Sequence, residues 1–352
     1  MSPGAAGASE FPALLARLLA ARPGGVDAAD VRAAFDAILA GAWTPVQVGA
    51  FAVALRMHGE SAETIVSAAE AMRAAMTPVE HGLPVVVDTC GTGGDGAHTL
   101  NLSSAAAVIV AACGLVVAKH GNRSISSRCG SADVVEALGI PVDVPVDRQH
   151  EVLLEAGIAF LFAPAHHPAL RHAAQARREL GTRTIFNALG PLVNPARATH
   201  QLVGVYEEAL RPVAARALGR LGSRRAWVVR GEDGLDEVSP CAPTRVSELR
   251  EDGEVRERVV TPEDFGIERG HVSAIAGGDA PGNAEALLAI LQGARHAARD
   301  AVLLNAAAAL VVATGEEPKG AVERARKAID GGAANGVLET WRRVARRVRG
   351  ER

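Results

Sequence analysis

The sequence lacks the features by which several large classes of protein are recognised. Its four cysteines form neither a Cys-x-x-Cys pair nor a disulfide framework, which argues against a disulfide-rich secreted domain and for a reducing compartment. The N-terminus has no basic start followed by an apolar core, and no apolar run is long enough to span a bilayer. We therefore expect a cytoplasmic protein without a membrane segment.

Positive charge is also limited. The formal net charge is −3, so binding of nucleic acid through bulk charge is not expected. The one basic stretch, residues 342–352, is interpreted as a solvated helix end, where cations favour the C-terminal dipole. Lysine occurs only at positions 119, 319 and 327, whereas the chain has 37 Lys and Arg residues together. Because arginine is used elsewhere, Lys119 is expected to supply the compact charge that suits a phosphate.

The length and the hydrophobic pattern predict two domains. With 352 residues, 48% of them apolar, the chain can bury a large core. Residues 1–80 are predicted to form a small α-helical domain, which later helices could complete, with helices at 11–21, 28–40, 45–57 and 62–76. In residues 81–352, β-like runs alternate with helical runs, which predicts an α/β domain with a mainly parallel central sheet flanked by helices. The predicted strands are 85–87, 115–118, 158–162, 202–206 and 226–229, and residues 238–275 are predicted to form short strands and loops.

A glycine-rich stretch, residues 88–104, joins one predicted strand to a predicted helix. It reads Asp-Thr-Cys-Gly-Thr-Gly-Gly-Asp-Gly-Ala-His-Thr-Leu-Asn-Leu-Ser-Ser. Glycines allow backbone N–H groups to approach an anion, and the helix dipole faces the same point, so the stretch predicts a phosphate site. Asn101, Ser103 or Ser104 is expected to cap the helix.

Two familiar nucleotide-binding patterns fit this stretch poorly. The glycines match G-x-G-x-x-G, but that pattern also needs an acid about 20 residues further on, where the chain has Lys119 and His120. The ATP-type loop is disfavoured because no Gly-Lys-Ser/Thr follows the glycines. Residues 130–133 are expected to open a second helix, at 134–138, whose N-terminus suits an anion.

Three other groups of residues carry possible chemistry. His166 and His167 are adjacent, but no third ligand stands at zinc spacing, so zinc is not expected. Arg177 and the apolar Gly-Pro-rich run at 184–195 suit a flat organic acid, although the same stretch could equally be a loop and a structural helix. Asp236 and Glu237 follow a predicted strand; such pairs are usually solvated, but beside a phosphate loop they are natural Mg²⁺ ligands.

Together these motifs resemble the anthranilate phosphoribosyltransferase family of tryptophan biosynthesis over nearly the whole chain. The matching motifs are Gly-Thr-Gly-Gly-Asp at 91–95, Asn-x-Ser-Ser at 101–104, Lys-His-Gly-Asn-Arg at 119–123, Gly-Ser-Ala-Asp at 130–133, His-Pro at 167–168, Arg-Arg-Glu-Leu-Gly at 177–181, Asn-x-Leu-Gly-Pro at 187–191 and Gly-Leu-Asp-Glu at 234–237. Pyrimidine nucleoside phosphorylases share the family's fold, but their Lys-His-Ser-Thr-Gly-Gly run is absent here. A phosphorylase and a non-catalytic relative that binds nucleic acid remain as alternatives.

The resemblance implies transfer of the 5-phosphoribosyl group from phosphoribosyl diphosphate (PRPP) to the amine of anthranilate, with two Mg²⁺ ions per subunit. It also implies a homodimer formed through the helical domain, with no nucleic-acid or membrane partner. The implied catalytic residues are Lys119, Asp236 and Glu237, and the implied metal ligands are Ser103, Asp236 and Glu237. The implied PRPP-binding residues are Gly91, Gly94, Asp95, Thr99, Asn101, Ser103, Ser104, Lys119 and Ser131. The implied anthranilate-binding residues are Gly91, Asn122, His167, Arg177, Gly190 and Pro191.

Three residues depart from the family pattern. Ser104 stands where threonine is usual, a change that keeps the hydroxyl group. His166 occupies a position that is often aromatic. Arg230 stands where histidine is expected, and a cation next to the predicted metal turn could alter the affinity for Mg²⁺.

Overall fold

The computed structural model describes residues 3–124 and 128–351, so Ile125, Ser126 and Ser127, which follow the Lys-His-Gly-Asn-Arg motif, and Arg352 of the basic stretch lie outside it. Four helices open the chain: α1 (Pro3–Ala20), α2 (Ala28–Leu39), α3 (Pro45–His58) and α4 (Ala62–Ala75). The side chains of Asp27, Thr44 and Ser61 cap the last three by accepting a bond from a backbone N–H of the first turn. These helices confirm the predicted ones, although α1 begins at Pro3 instead of residue 11.

A single sheet of seven strands forms the centre of the α/β part. The strands are β1 (Val87–Gly91), β2 (Val117–Gly121), β3 (Ile158–Phe162), β4 (His200–Gly204), β5 (Arg225–Gly231), β6 (Thr244–Leu249) and β7 (Val255–Val260). Their order is β3-β2-β1-β4-β5-β6-β7. The first five strands in this order are parallel and β6 and β7 are antiparallel, which confirms the mainly parallel sheet.

The order of the strands explains where a site can form. The chain moves outward from β1 to β2 and β3, then returns to place β4 on the other side of β1. At such a reversal the connections leave on opposite faces of the sheet, and a crevice opens beyond the carboxyl ends of the strands. The glycine-rich stretch leaves β1 at this point.

Eleven further helices of the described chain surround or extend the sheet. They are α5 (Leu102–Ala112), α6 (Ser131–Ala137), α7 (Gln149–Ala156), α8 (Ala163–His166), α9 (Arg171–Leu180), α10 (Ile185–Ala188), α11 (Leu210–Arg220), α12 (Ala280–Leu291), α13 (Arg299–Thr314), α14 (Pro318–Asp330) and α15 (Ala333–Arg349). No single helix of the described residues is long and apolar enough to cross a membrane; one pair, α13 with α14, passes that test jointly by length and composition but is bent by 117°.

The apolar core lies in two layers, one on each face of the sheet. One layer packs α5 and α13 against the strands, with α15 packed on α5. The other joins the opening helices to later ones, since Phe35 of α2 and Phe51 of α3 share a cluster with Ala176 of α9 and Phe186 of α10. The helical layer therefore includes residues from far along the chain.

The interpretation of residues 342–352 as a solvated helix end was wrong for one face of the helix. Trp341, Val344 and Val348 of α15 are buried in the core. On the other face, Arg342 donates to the carbonyl oxygen of Leu138, and Arg346 donates to that of Gly139 at 3.1 Å. The basic residues thus help to fasten α15 to the end of α6.

Candidate active site

The glycine turn after β1 lies directly against Asp236. Gly93, Gly94 and Gly96 have φ angles of 66°, 79° and 79°, which L side chains rarely adopt. The backbone N–H of Gly93 donates to Asp236 Oδ2 at 2.8 Å. A Cβ atom on Gly91 would lie 2.8 Å from the same oxygen. The turn therefore needs glycine both for its backbone angles and for close approach to the carboxylate.

Three carboxylates meet at this turn. The N–H of Asp236 faces Asp95 Oδ2 at 3.5 Å, and Glu237 Oε1 accepts from the N–H of Ser103 at 3.3 Å. Burial, reinforced by the charge of Asp95, raises the pKa of Asp236 to about 7. Burial, reinforced by the charge of Asp236, raises the pKa of Glu237 to about 8. The site therefore concentrates negative charge that a cation would neutralise.

These residues fit a magnesium ion better than a transition metal. Within residues 3–124 and 128–351, no group of three or more His, Cys, Asp or Glu side chains forms a cluster able to hold a metal on its own. Mg²⁺ does not need such a cage, because it usually binds one or two carboxylates together with substrate phosphates and water. The approach of Asp236 to the glycine turn and of Glu237 to the first turn of α5 is the observation that favours a divalent cation here.

Lys119 lies beneath the carboxylates instead of at the surface. It extends from β2, is 1% exposed, and its Nζ donates to the carbonyl oxygen of Thr89 at 2.5 Å and to Ser103 Oγ at 3.3 Å. Burial lowers the pKa of Lys119, while the charges of Asp88 and Glu237 oppose that shift. The ammonium group is thus fixed between the end of β1 and the first turn of α5.

The start of α5 is held differently from the predicted cap. Asn101 occupies the N-cap position, but its side chain makes no capping bond. Its Oδ1 instead accepts from Nδ2 of Asn283, on α12, at 3.0 Å. Ser103 Oγ accepts from Lys119, and Ser104 Oγ is buried without a partner in the described structure. None of the three predicted side chains caps α5, so the capping prediction was wrong.

At the second predicted anion site, the helix after residue 130, a side chain bonds the N–H of the N-cap residue. The helix α6 begins at Ser131 instead of residue 134 and has seven residues. The carboxylate of Asp133 accepts from the N–H of Gly130, the N-cap residue, at 2.8 Å. Ser131 Oγ donates to the carbonyl oxygen of Asn122 at 3.3 Å. Ser131 and Asn122 thus lie together at the end of β2.

Two predicted acceptor residues, Arg177 and His167, lie near the helical layer. The half-buried guanidinium of Arg177 lies over the ring of Phe186 at 5.6 Å, and burial lowers its pKa. His167 Nε2 donates to the carbonyl oxygen of Val193 at 3.0 Å, and its ring centre is 5.3 Å from that of His120. Burial lowers the pKa of His167 to about 4, so the ring is neutral at pH 7.

Gly190 and Pro191 are connected to the sheet by their carbonyl oxygens. His120 Nδ1 donates to the carbonyl oxygen of Gly190 at 3.0 Å. Gln201 of β4 donates from Nε2 to the carbonyl oxygen of Pro191 at 2.8 Å.

Thr99, the remaining residue predicted to bind PRPP, forms an isolated antiparallel bridge with Ala276, in the segment before α12.

Two of the three residues that depart from the family pattern, His166 and Arg230, have hydrogen-bond partners in the structure. His166 is buried, and its Nδ1 donates to the carbonyl oxygen of Thr77 at 2.8 Å. Arg230 Nη1 donates to the carbonyl oxygen of Val205 at 3.1 Å. Arg230 therefore directs its guanidinium to the end of β4 instead of pairing with the carboxylate of Asp236.

Two residues of the site were missed by the sequence analysis. Arg183 lies over the ring of Tyr206 at 4.5 Å, and a Cβ atom on Gly94 would be 3.1 Å from its Nη2. Its guanidinium therefore faces the glycine turn. Asn283, which holds Asn101, is 182 positions away from it in the sequence. Arg183 stands two residues after Gly181 of a matching motif, so the sequence could have indicated it. No local pattern indicated Asn283.

Two sequence families match the chain. The pattern described as "Glycosyl transferase family, helical bundle domain" covers residues 12–76, and the one described as "Glycosyl transferase family, a/b domain" covers residues 83–335. An anthranilate phosphoribosyltransferase from Myxococcus xanthus is 55% identical over 302 residues, which are 86% of this chain and 89% of the relative. One from Moorella thermoacetica is 51% identical over 312 residues, which are 88% of this chain and 92% of the relative.

Solved structures of the same enzymes have the same fold. The anthranilate phosphoribosyltransferase of Thermus thermophilus superposes with a TM-score of 0.88 at 38% identity, covering 97% of this chain and 99% of its own. That of Saccharomyces cerevisiae in complex with PRPP and Mg gives a TM-score of 0.87 at 29% identity, covering 96% and 98%. The chain therefore belongs to the anthranilate phosphoribosyltransferase family.

Proposed function

We propose that this protein is an anthranilate phosphoribosyltransferase of tryptophan biosynthesis, which transfers the 5-phosphoribosyl group of PRPP to the amine of anthranilate. The products are N-(5-phosphoribosyl)anthranilate and diphosphate. The observation that supports this best is the cluster of Asp95, Asp236 and Glu237 above the buried Lys119, at the glycine turn. The membership of the family, described above, supports the same assignment.

The donor side of the site is proposed to bind and neutralise the leaving diphosphate. Two Mg²⁺ ions per subunit would be held by Ser103, Asp236 and Glu237, and when bound they supply positive charge to the diphosphate oxygens. Lys119 adds a fixed cation beneath them, and Arg183 adds a second at the glycine turn. A bond from ribose C1 to the diphosphate oxygen breaks as the C1–N bond forms, so prepositioned positive charge lowers the barrier.

PRPP is proposed to lie along the path from the glycine turn to the start of α6. Gly91, Gly94, Asp95, Thr99, Asn101, Ser104 and Ser131 would contact it. The N–H of Gly93 is already bonded to Asp236, so it holds the carboxylate and is not free for phosphate. The phosphate contacts therefore fall to other backbone groups of the turn and to side chains.

The acceptor side is proposed to bind anthranilate in a neutral, mainly apolar pocket with one cation. Arg177 would pair with the carboxylate of anthranilate, and Gly91, Asn122, His167, Gly190 and Pro191 would surround the ring. The aromatic amine attacks in its uncharged form and loses its proton afterwards. The enzyme then mainly needs to align the amine with ribose C1.

One assay tests the donor site directly. PRPP, Mg²⁺ and anthranilate are mixed with the protein, and the loss of anthranilate fluorescence is followed. We expect turnover by the wild type and none by Asp236→Asn/Glu237→Gln, because the metal carboxylates are gone. Glu232→Gln, which removes an exposed carboxylate from the same turn, is the matched control and should be fully active. A double variant with wild-type rates at all Mg²⁺ concentrations would refute the metal assignment, and cleavage of thymidine or uridine instead would favour a phosphorylase.

We also propose a cytoplasmic homodimer in which residues 1–80, completed by later helices, contact the partner, and residues 81–352 form the catalytic part. Val46, Val53 and Met57 of α3 are 80%, 41% and 79% exposed. Val53 and Met57 lie seven and eleven residues after Val46. These spacings are close to whole helical turns, so the three side chains form one apolar row. Cys90, Cys113 and Cys241 form no disulfide among the described residues, which fits a reducing compartment.

A further inference from the structure

A short irregular segment, residues 190–196, accepts many of its hydrogen bonds from side chains elsewhere in the chain. It contains a single 3-10 turn, Gly190–Leu192, and residues 191–196 are all buried. Buried backbone carbonyls need donors, and a segment without strand or helix partners must obtain them from other parts of the chain. The origin of those donors shows what fixes the segment in place.

Four consecutive carbonyl oxygens each accept a bond from a different side chain. Gly190 accepts from His120 of β2 at 3.0 Å, and Pro191 accepts from Gln201 of β4 at 2.8 Å. Leu192 accepts from Arg73 Nε of α4 at 3.0 Å, and Val193 accepts from His167 at 3.0 Å. The donors therefore come from both the sheet and the helical layer.

The remainder of the segment is held by both side-chain and backbone bonds. Nδ2 of Asn194 donates to Asp88 Oδ2 and to the carbonyl oxygen of Ala118, both at 2.8 Å. The carbonyl oxygens of Pro195 and Ala196 accept from the N–H of Val79 and from His81 Nε2, both in the linker after α4. Moving the segment would break bonds to β1, β2, β4, α4 and the linker at once.

Two of these donors, Gln201 and Arg73, have no other evident role in the reaction. Gln201 is 1% exposed, and its Oε1 accepts from Ser223 Oγ at 3.0 Å, which fixes the orientation of the amide so that Nε2 faces Pro191. Arg73 uses its second contact, from Nη1, on the carbonyl oxygen of Leu221 at 2.7 Å. Each therefore joins the segment to a second part of the chain, Ser223 for Gln201 and Leu221 for Arg73.

We propose that Gln201 and Arg73 are positioning residues for the acceptor: by holding the carbonyl groups of Pro191 and Leu192, they fix the wall of the anthranilate pocket relative to His120 and His167. This inference rests on the proposed function, in which Gly190 and Pro191 contact anthranilate. The wall is thus built before anthranilate arrives, and its position sets the room available around the ring. PRPP, bound at the glycine turn, should be insensitive to both residues.

The test compares Michaelis constants for the two substrates in Gln201→Met, which keeps the length of the side chain but removes the donor. We expect the KM for anthranilate to rise about tenfold, as for the loss of one buried hydrogen bond, and the KM for PRPP to stay within about twofold. Discrimination against 4-methylanthranilate should relax, because the wall can move. Gln149→Met is the matched control, since Gln149 is also a buried glutamine that donates to a carbonyl, that of Val144, far from the pocket.

A second pair of variants changes Arg73, which contacts the same segment from the helical layer. Arg73→Met should show the same split between the two KM values, and Arg73→Lys, which keeps one cationic donor, should restore part of the affinity for anthranilate. If Gln201→Met does not fold, the Arg73 variants test the proposal on their own, and the same split is expected.

The outcomes separate the positioning role from the function. An unchanged KM for anthranilate in folded variants, or parallel rises for both substrates, overturns the positioning role while leaving the function intact. Absence of turnover by the wild-type protein with PRPP, Mg²⁺ and anthranilate overturns the proposed function itself.

Discussion

Arg177 is half-buried, and none of the carboxylates of the described residues forms an ion pair with it. Its one ring contact, Phe186 at 5.6 Å, is apolar. A cation without a counter-charge has lost part of its hydration and gains most from binding an anion. We expect Arg177→Met to raise the KM for anthranilate by about 30-fold, the loss of a charge-assisted contact, with little change in the KM for PRPP.

The neighbouring Arg178 supplies the control for this prediction. It belongs to the same helix, α9, but is exposed. Steady-state kinetics of Arg178→Met should match the wild type for both substrates. Equal weakening of anthranilate and PRPP in Arg177→Met would place Arg177 outside the acceptor pocket.

Several histidines are buried and neutral, and His200 shows how such burial affects the stability of the protein in acid. Burial, with help from Arg224 and Arg225, lowers its pKa from 6.5 to about 4. Between these values the unfolded chain binds a proton that the folded protein does not. The stability contributed by neutral His200 is therefore present above pH 6.5 and is lost as the pH falls toward 4.

We expect His200→Gln to make unfolding less sensitive to acid. Between pH 7 and pH 5, the loss of unfolding free energy should be about 2 kcal/mol smaller in the variant than in the wild type. Urea denaturation at the two pH values measures this difference. His271→Gln, at an exposed histidine, is the control; if both variants respond to pH as the wild type does, the burial of His200 does not govern its acid response.

At the scale of elements, the glycine turn of residues 91–96 links the end of β1 to the metal carboxylates. In Gly91→Ala the new Cβ would lie 2.8 Å from Asp236 Oδ2, closer than a methyl group and an oxygen can approach. The carboxylate must move, and its bond from the N–H of Gly93 is weakened. We expect kcat/KM for PRPP to fall about tenfold or more, and the Mg²⁺ concentration for half-maximal rate to rise, in initial-rate assays.

The matched substitution is Gly320→Ala in α14, where a Cβ atom would meet nothing within 4 Å. It should leave the kinetics unchanged and be neutral or slightly stabilising, since alanine favours helix. Wild-type dependence on Mg²⁺ in Gly91→Ala would show that the position of Asp236 does not control the metal site.

Elements with a clear local pattern were predicted well, and those defined by distant contacts were not. The capped helices of residues 28–75 and the parallel strands carry their periodicity in sequence, so they could be predicted. The packing of α15 was missed because arginines dominate residues 342–349, while its buried face depends on Trp341 and Val344 meeting other helices. In the site, Gly91–Asp95 and Asp236–Glu237 were visible as motifs. The Asn101–Asn283 contact was not, because long-range pairs leave no local signal in one sequence.

At the scale of the whole molecule, the exposed row of Val46, Val53 and Met57 is the feature that a single chain does not explain. Leu19 of α1, 66% exposed, adds apolar surface to the same helical layer. Scattered exposed apolar residues are ordinary, but several aligned on one helix favour an interface. The helical layer also contributes Arg73, α9 and α10 to the acceptor side. Dimerisation through α3 would therefore brace the layer from which the anthranilate pocket is built.

We expect the double variant Val46→Glu/Met57→Glu to be monomeric in sedimentation velocity experiments at concentrations where the wild type is a dimer. Two buried carboxylates without partners would each cost several kcal/mol, more than the apolar contact they replace contributes. Val272→Glu is the control, because Val272 is 53% exposed but lies outside the helical layer, in the 3-10 turn Val272–Ile275 that precedes α12. A wild type that sediments as a monomer at every concentration, or a Val272→Glu variant that dissociates as readily, would contradict an interface on α3. If the monomer forms and keeps its fold, its KM for anthranilate should rise more than its KM for PRPP, since the acceptor side alone is built on the helical layer.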